Sequence, residues 1–159
     1  MKPNNVTRFL DAHDIHYATF ELPPEKHGAL ETARLLDLPP NIVYKTIVVT
    51  REGKSKPILA VIPGPCEVDL KALARALDEK KLHLPSEREA ERLTGLQAGG
   101  ISPLALINRG FQVILDIAAQ SLDEMHISGG QRGLNIRLAP NDLIKLTGAR
   151  YSDICREIN

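Results

Sequence analysis

Apolar residues recur every three or four positions in five stretches of the chain, which is the spacing of an amphipathic helix. In the first stretch Val6 and Leu10 fall on one face behind Asn4, a residue type that commonly caps helices. In the fourth stretch Ser86 and Glu89 have the spacing of a capping box. The pattern predicts helices over residues 6–13, 29–36, 70–77, 86–95 and 141–148, with a last turn or two over 152–158.

Runs of β-branched and other apolar residues separate these helices and predict strands. Pro23 and Pro24 end the first run, and a turn at Gly53 joins the second run to the third. Few strand–helix–strand units are present, which favours an α+β domain built on a mixed or mainly antiparallel sheet. The predicted strands cover residues 17–22, 42–50, 57–62, 111–117, 125–128 and 134–138.

Length and composition indicate one ordinary globular domain over residues 1–159. The 20 basic and 20 acidic residues cancel, whereas a protein that binds nucleic acid by itself usually has a basic excess. Any RNA contact must therefore come from a local patch or a partner. Cys66 and Cys155 form no Cys-x-x-Cys pair, and no segment has the character of a secretory signal or a membrane span. We expect a cytoplasmic protein.

Lys45 is the one charged residue in an otherwise apolar strand face. Side chains alternate along a strand, so Val43, Lys45, Ile47 and Val49 share that face. Lysine is rarely buried without a partner. Either the ammonium reaches water near an open end of the strand, or it lines a cavity and binds a carboxylate, a phosphate or a developing oxyanion.

Two glycine pairs lie beside serines and could form ligand-binding loops. Gly99 and Gly100 are followed closely by Ser102, and Ser128 directly precedes Gly129 and Gly130. Glycines let a backbone approach a ligand and point N–H groups at a carbonyl or a ribose. Tight turns are the simpler interpretation, and the second pair falls where a hairpin would join strands 125–128 and 134–138.

Motifs of the commoner catalytic and cofactor sites are missing from the sequence. It has no phosphate-binding loop, dinucleotide fingerprint, serine-hydrolase elbow or metal-ligand spacing, so we expect no cofactor and no metal. No serine or cysteine stands out as a nucleophile. The basic residues Arg51, Lys54 and Lys56 either contact RNA or form solvated surface, and the few aromatic residues argue against base stacking.

Four segments together resemble the YbaK family of aminoacyl-tRNA deacylases, also called EbsC. They are Val-Tyr-Lys-Thr at 43–46, Thr-Gly with Gly-Gly-Ile-Ser-Pro-Leu within 94–104, Ser-Gly-Gly-Gln-Arg-Gly-Leu at 128–134, and the region 139–154. The resemblance implies a mixed, barrel-like sheet flanked by helices, related to the editing domain inserted in bacterial prolyl-tRNA synthetases. It implies that the chain removes cysteine from mischarged tRNA for proline, in trans and alongside prolyl-tRNA synthetase, which would supply tRNA affinity.

The resemblance also implies roles for individual residues. The family's invariant lysine falls on Lys45, which would position the substrate and balance negative charge. The substrate's own thiol would attack the ester and release a cyclic thiolactone, so no protein nucleophile is needed. Phe20 and Asn135 stand where other members carry tyrosine and aspartate, which bears on amino-acid specificity. The pocket for the aminoacylated 3′ end of tRNA would be lined by Gly99, Gly100, Ile101, Ser102, Ser128, Gly129 and Gly130.

Two alternatives to the cysteine-specific enzyme stay open at this point. A related deacylase could remove alanine or another small amino acid, in which case a bound water must attack because alanine has no thiol. A module that binds the tRNA end or prolyl-tRNA synthetase without turnover is the other alternative. An inward lysine favours an enzyme, because a scaffold would not need one.

Overall fold

The computed structural model describes residues 2–53 and 55–158. Its α-helices form where the apolar spacing predicts them. Asn4, Asp69 and Ser86 cap three of them, each accepting a hydrogen bond from the backbone N–H three residues ahead (2.9 to 3.1 Å). Glu89 pairs with Arg92 instead of closing the predicted capping box. The helices are α1 (Asn5–Ala12), α2 (Ala29–Leu36), α3 (Leu70–Leu77), α4 (Glu87–Thr94) and α5 (Pro140–Thr147).

The described strands form three separate sheets and no single closed barrel. Their bounds are β1 (Tyr17–Glu21), β2 (Tyr44–Arg51), β3 (Ile58–Pro63), β4 (Cys66–Val68), β5 (Leu82–His83), β6 (Gln112–Asp116), β7 (Met125–Ser128), β8 (Leu134–Leu138), β9 (Arg150–Ser152) and β10 (Cys155–Glu157). The large sheet has the order β5-β2-β3-β6-β9, antiparallel up to β3 and parallel beyond it. The small sheet, β1-β8-β7, is antiparallel, and β4 pairs with β10. The mixed α+β prediction is therefore confirmed.

The large sheet is buried on both faces, which explains the unbroken apolar run of β3. Leu59 and Val61 point into a cluster that also contains buried residues of α1, α5 and the small sheet. Ile58 and Ile62 point the other way, against the buried face of α3. The small sheet therefore packs on one side of the large sheet. No helix among residues 2–53 and 55–158 is long and apolar enough to cross a membrane.

The prediction of helical turns over residues 152–158 is wrong, because this segment forms the end of β9 and all of β10. Two tertiary contacts hold it extended. β10 pairs with β4, and the buried Asp116 carboxylate accepts a hydrogen bond from the Ile154 N–H (3.1 Å). The Ile154 side chain, within this segment, is fully buried. Strands of three residues are too short for hydrophobic spacing to distinguish from a helical turn.

Candidate active site

A cavity of about 440 Å³ opens where the large and small sheets meet. β2 forms one wall, and the facing ends of β7 and β8 form another. The segment between β1 and α2, the start of α4 and the glycine loop before Pro103 close the remaining sides. The polar side chains and loop residues that converge on this space include Lys45, Thr46, Glu87, Gly99, Ser128 and Asn135.

The cavity runs along an edge of β2 that no described strand covers. β5 pairs only with the last two residues of β2, and β7 contacts this edge only through a single bridge just before its first residue. The Gly64 N–H donates to the Val43 carbonyl (2.8 Å), so Val43 turns its backbone oxygen toward β3. Backbone groups alternate sides along an antiparallel strand, which turns those of Thr46 and Val48 toward the cavity. This edge can therefore donate and accept hydrogen bonds.

Lys45 is half-buried and makes no hydrogen bond or ion pair with any residue in the described part of the chain. Burial lowers the pKa of its ammonium, and nearby Cys66, Cys155 and Glu67 oppose this shift more weakly. The side chain also lines a neighbouring second cavity of about 430 Å³. An unpaired cation in the wall of a cavity is well placed to stabilise negative charge on a ligand.

The two glycine loops are joined to each other through Ser128. Its Oγ donates to the Gly99 carbonyl (3.3 Å) and accepts from the Gly130 N–H (3.4 Å). Gly100 lies so close to the second loop that a Cβ there would come within 2.9 Å of the Gln131 Cα. Glycine is required at this position because the two backbones touch.

One face of the small sheet supplies the floor of the cavity. Asn135 and Ser128 line the cavity at neighbouring positions of β8 and β7. Phe20, the neighbour of Asn135 on β1, shares this sheet face but lies outside the cavity lining. Oδ1 of Asn135 lies 2.9 Å from Nδ1 of His126, and both side chains are buried. Burial lowers the pKa of His126, so its imidazole is neutral.

The sequence matches the aminoacyl-tRNA editing domain over residues 23–146, a segment that includes Lys45, Thr46, Glu87, Gly99, Ser128 and Asn135. The chain belongs to the aminoacyl-tRNA editing domain family. An Enterococcus faecalis protein named "Putative Cys-tRNA(Pro)/Cys-tRNA(Cys) deacylase EbsC" is 34% identical over 94% of this chain and 92% of its own length. A proline–tRNA ligase of Limosilactobacillus reuteri is 28% identical over 69% of this chain. The matched region covers only 19% of the ligase.

Solved structures share the fold of this editing domain. A crystal structure titled "putative trans-editing enzyme for prolyl tRNA synthetase" superimposes with a TM-score of 0.80 at 24% identity, covering 98% of this chain and 99% of that one. A hypothetical protein superimposes with a TM-score of 0.87 at 22% identity, covering 96% of this chain and all of the other. The family resemblance drawn from the four sequence segments is confirmed.

The editing domain brings only part of the predicted site into the cavity. Lys45, Gly99, Ile101, Ser128 and Asn135 line it. The other predicted residues stand behind the wall, where they support it. Phe20 packs against the His126 ring (5.3 Å between centroids), Gly100 packs on the second loop, Ser102 is buried with its Oγ accepting from the Leu104 N–H (3.2 Å), and Gly129 lies against Leu134.

Sequence reasoning missed the rim of the cavity and the open edge of β2. An ion pair between Lys26 and Glu87 (2.5 Å) joins the segment before α2 to α4. Leu84 stands at the rim with 56% of its surface exposed and lines both cavities. No local motif marks these residues, because tertiary packing alone brings them together. Arg51, one of the basic residues considered for RNA contact, pairs with Glu79 (3.0 Å), while Lys54 lies outside the described residues.

Among the described residues no activated nucleophile lines the cavity: the Ser128 hydroxyl bonds to backbone groups of the glycine loops and to no histidine. Neither Cys66 nor Cys155 lines it, and burial, together with the nearby Asp116 carboxylate, raises the pKa of the Cys155 thiol. A raised pKa keeps this thiol protonated and unreactive. Within the described residues no three His, Cys, Asp or Glu side chains are grouped so that they could hold a metal ion.

Proposed function

We propose that this editing domain removes cysteine from mischarged Cys-tRNA(Pro), acting in trans and using the thiol of the substrate as the nucleophile. The observation that carries the proposal is Lys45, which has no partner among the described residues and stands in a cavity wall whose described residues offer hydrogen-bonding groups but no cysteine and no histidine-activated serine. The Enterococcus relative, matched along nearly its whole length, supports the choice of cysteine, and its name includes Cys-tRNA(Pro) beside Cys-tRNA(Cys).

The proposed reaction is an intramolecular acyl transfer. The thiol proton leaves to water, and the sulfur attacks the ester carbonyl carbon to give a tetrahedral oxyanion. The bond from that carbon to the ribose oxygen then breaks, the ribose oxygen takes a proton from water, and a cyclic thiolactone leaves. Lys45 stabilises first the thiolate and then the oxyanion, charges that form only as the reaction proceeds.

The remaining walls hold the ester in place for this attack. The Thr46 N–H on the open edge of β2 donates to a substrate oxygen, while the Thr46 carbonyl accepts from the α-ammonium group of the amino acid. Leu84 offers the terminal adenine an apolar surface at the rim. Correct placement of the thiol and the carbonyl supplies much of the rate, because the attack is intramolecular.

A partner supplies affinity for the body of the tRNA in this proposal. The chain has no net charge, so it lacks the basic excess that usually drives binding to phosphates. We propose prolyl-tRNA synthetase as that partner and the cytoplasm as the place of action. In the Limosilactobacillus ligase a segment similar to this chain is part of the ligase itself, which supports an association in the same reaction.

The test compares purified protein on Cys-, Ser-, Ala- and Pro-tRNA(Pro), with and without prolyl-tRNA synthetase, and follows loss of the ester. Cysteine and serine differ only in the attacking atom, so Ser-tRNA(Pro) is the matched control for thiol attack. We expect rapid loss of cysteine and slow loss of the others. If serine or alanine is lost as fast as cysteine, the nucleophile is a bound water and not the substrate thiol. If the ester is lost from none of the four aminoacyl-tRNAs, the chain is a module that binds without turnover.

A further inference from the structure

His126 and Asn135 form a buried polar pair behind the cavity. His126 is 2% exposed and Asn135 is 4% exposed, and they lie diagonally opposite each other on β7 and β8. Phe20 covers the imidazole from the side of β1. Asn135 lines the cavity, whereas His126 does not. A substrate would therefore touch Asn135 and would sense His126 only through it.

The neutral imidazole has one tautomer that suits this geometry. With its proton on Nδ1, His126 donates to Oδ1 of Asn135 at 2.9 Å and leaves only a lone pair on Nε2. The opposite tautomer would set a lone pair on Nδ1 against the Asn135 oxygen at 2.9 Å, and two acceptors at that distance repel each other. In this pair the His126 ring is therefore the hydrogen-bond donor and the Asn135 side-chain oxygen is the acceptor.

The other end of the Asn135 carboxamide faces the cavity. Its Nδ2 has no hydrogen-bond partner in the described part of the chain, yet it is not among the polar atoms that are sealed from solvent without a partner. An amide that can flip presents either two donors or an acceptor. Because His126 holds the oxygen, the amide presents only its N–H donors to the cavity.

We infer that His126 is a positioning residue, which makes Asn135 a donor-only contact for an acceptor oxygen of the substrate. The inference rests on the proposed function, in which that oxygen is the ester carbonyl or a ribose oxygen of the aminoacyl-adenosine end. A donor-only amide cannot accept from the α-ammonium group, so this group binds elsewhere in the cavity. His126 thereby sets which part of the substrate lies against β8.

The first test measures the tautomer directly, by long-range ¹H–¹⁵N correlation of the His126 ring in the wild-type protein near neutral pH. The expected result is a proton on Nδ1. A proton on Nε2 would overturn the inference whatever the protein's activity. This readout needs no substrate, so its outcome is independent of whether the proposed deacylation is correct.

The second test uses variants and the deacylation assay. In His126→Leu the donor is lost while an apolar side chain still fills the space, and we expect kcat/KM for Cys-tRNA(Pro) to fall about tenfold, the value of one neutral hydrogen bond. His126→Asn restores an amide donor near the position of Nδ1 and should recover most of the loss. Wild-type activity in His126→Leu, or no recovery in His126→Asn when both variants fold, would overturn the inference. Inactivity of the wild-type protein on every aminoacyl-tRNA would instead overturn the proposed function.

A third variant reverses the chemistry of the contact. Asn135→Asp replaces the donors by a carboxylate, which can only accept. We expect the His126 pKa to rise in this variant, because the imidazolium gains a charged partner, and kcat/KM to fall at least tenfold. An unchanged His126 pKa together with unchanged kcat/KM would show that the two side chains do not act as a pair.

Discussion

At the scale of single residues, the partly buried charge of Lys45 destabilises the fold. The ammonium is partly desolvated and has no partner among the described residues, and burial lowers its pKa. A group that destabilises the fold and yet points into a cavity is typical of a functional site, where stability is exchanged for activity.

Replacing Lys45 by methionine should therefore stabilise the protein while abolishing activity. Lys45→Met keeps an unbranched side chain but removes the desolvated charge, and we expect the free energy of unfolding at pH 7 to rise by about 0.5–2 kcal/mol. The gain should narrow as the pH rises through the folded pKa of Lys45 toward about 10.4, its unfolded value, because the wild-type amine then becomes neutral as well. Denaturant titration checks this, with the exposed Lys71→Met as control. A loss of stability in Lys45→Met would show that the ammonium has a stabilising partner.

His126 should make the protein sensitive to mild acid. Burial lowers the His126 pKa below about 6.5, so the unfolded chain takes up a proton that the folded chain does not. The stability conferred by the neutral ring is complete above about pH 6.5 and is lost as the pH falls toward the folded pKa, at no more than about 1.4 kcal/mol per pH unit. His126→Asn should lose less stability between pH 7 and pH 5.5 than the wild type or the exposed-site control His16→Asn. Equal losses in all three proteins would contradict a buried neutral imidazole.

At the scale of secondary-structure elements, the open edge of β2 is the feature that turns a structural strand into a binding surface. Its odd-numbered residues bond to β3, and the even-numbered residues between the two ends face the cavity. The same strand thus holds the large sheet together and presents backbone groups to a ligand.

Proline at position 46 tests this division of the strand. Thr46→Pro removes an N–H that faces the cavity and takes part in no ladder, and proline is tolerated where a strand edge is unpaired. We expect a folded protein whose kcat/KM is at least tenfold lower, while Thr46→Val, which keeps the N–H, remains active. Full activity in Thr46→Pro would show that the open edge of β2 does not bind the substrate. Global unfolding of this variant would show that the Thr46 N–H makes a hydrogen bond within the sheet on which the fold depends.

The contact between the two glycine loops gives a second prediction for an element. A side chain at position 100 would collide with the backbone of residues 131 and 132, at 2.9 to 3.1 Å. Gly100→Ser should therefore cost about 1–3 kcal/mol of stability and lower activity by displacing the loop. Gly28→Ser makes the same change at a helix N-cap with nothing within 4 Å, and it should be neutral or slightly stabilising. Equal stability of the two variants would show that the loops can move apart freely.

Elements with a strong local pattern could be predicted from the sequence, and those fixed by tertiary pairing could not. The five helices and the six longer strands follow the apolar spacing, and the alternation along β2 correctly isolates Lys45. The strands β9 and β10 depend on the Asp116 contact to Ile154 and on pairing with β4, which no local pattern contains. For the same reason the glycine loops were visible as motifs, whereas their junction through Ser128 was not.

At the scale of the whole molecule, the site lies where the large and small sheets meet and leave part of β2 uncovered. The large sheet contributes Lys45 and the open edge, and the small sheet contributes Asn135 and Ser128. Neither sheet forms the cavity without the other, so the packing of the small sheet on the large one is needed for the site. The zero net charge fits the proposed function, in which the chain binds the aminoacyl end and a partner binds the body of the tRNA.

Single-turnover deacylation of Cys-tRNA(Pro) by the wild-type protein and by Lys45→Ala, at equal and saturating enzyme, shows whether Lys45 acts on the ester. Removing one preorganised group that stabilises a developing oxyanion typically costs about 10²–10³ in rate. We predict a loss of that size in Lys45→Ala with the fold and stability intact. Deacylation by Lys45→Ala at the wild-type rate would show that the ester is not broken in the cavity around Lys45.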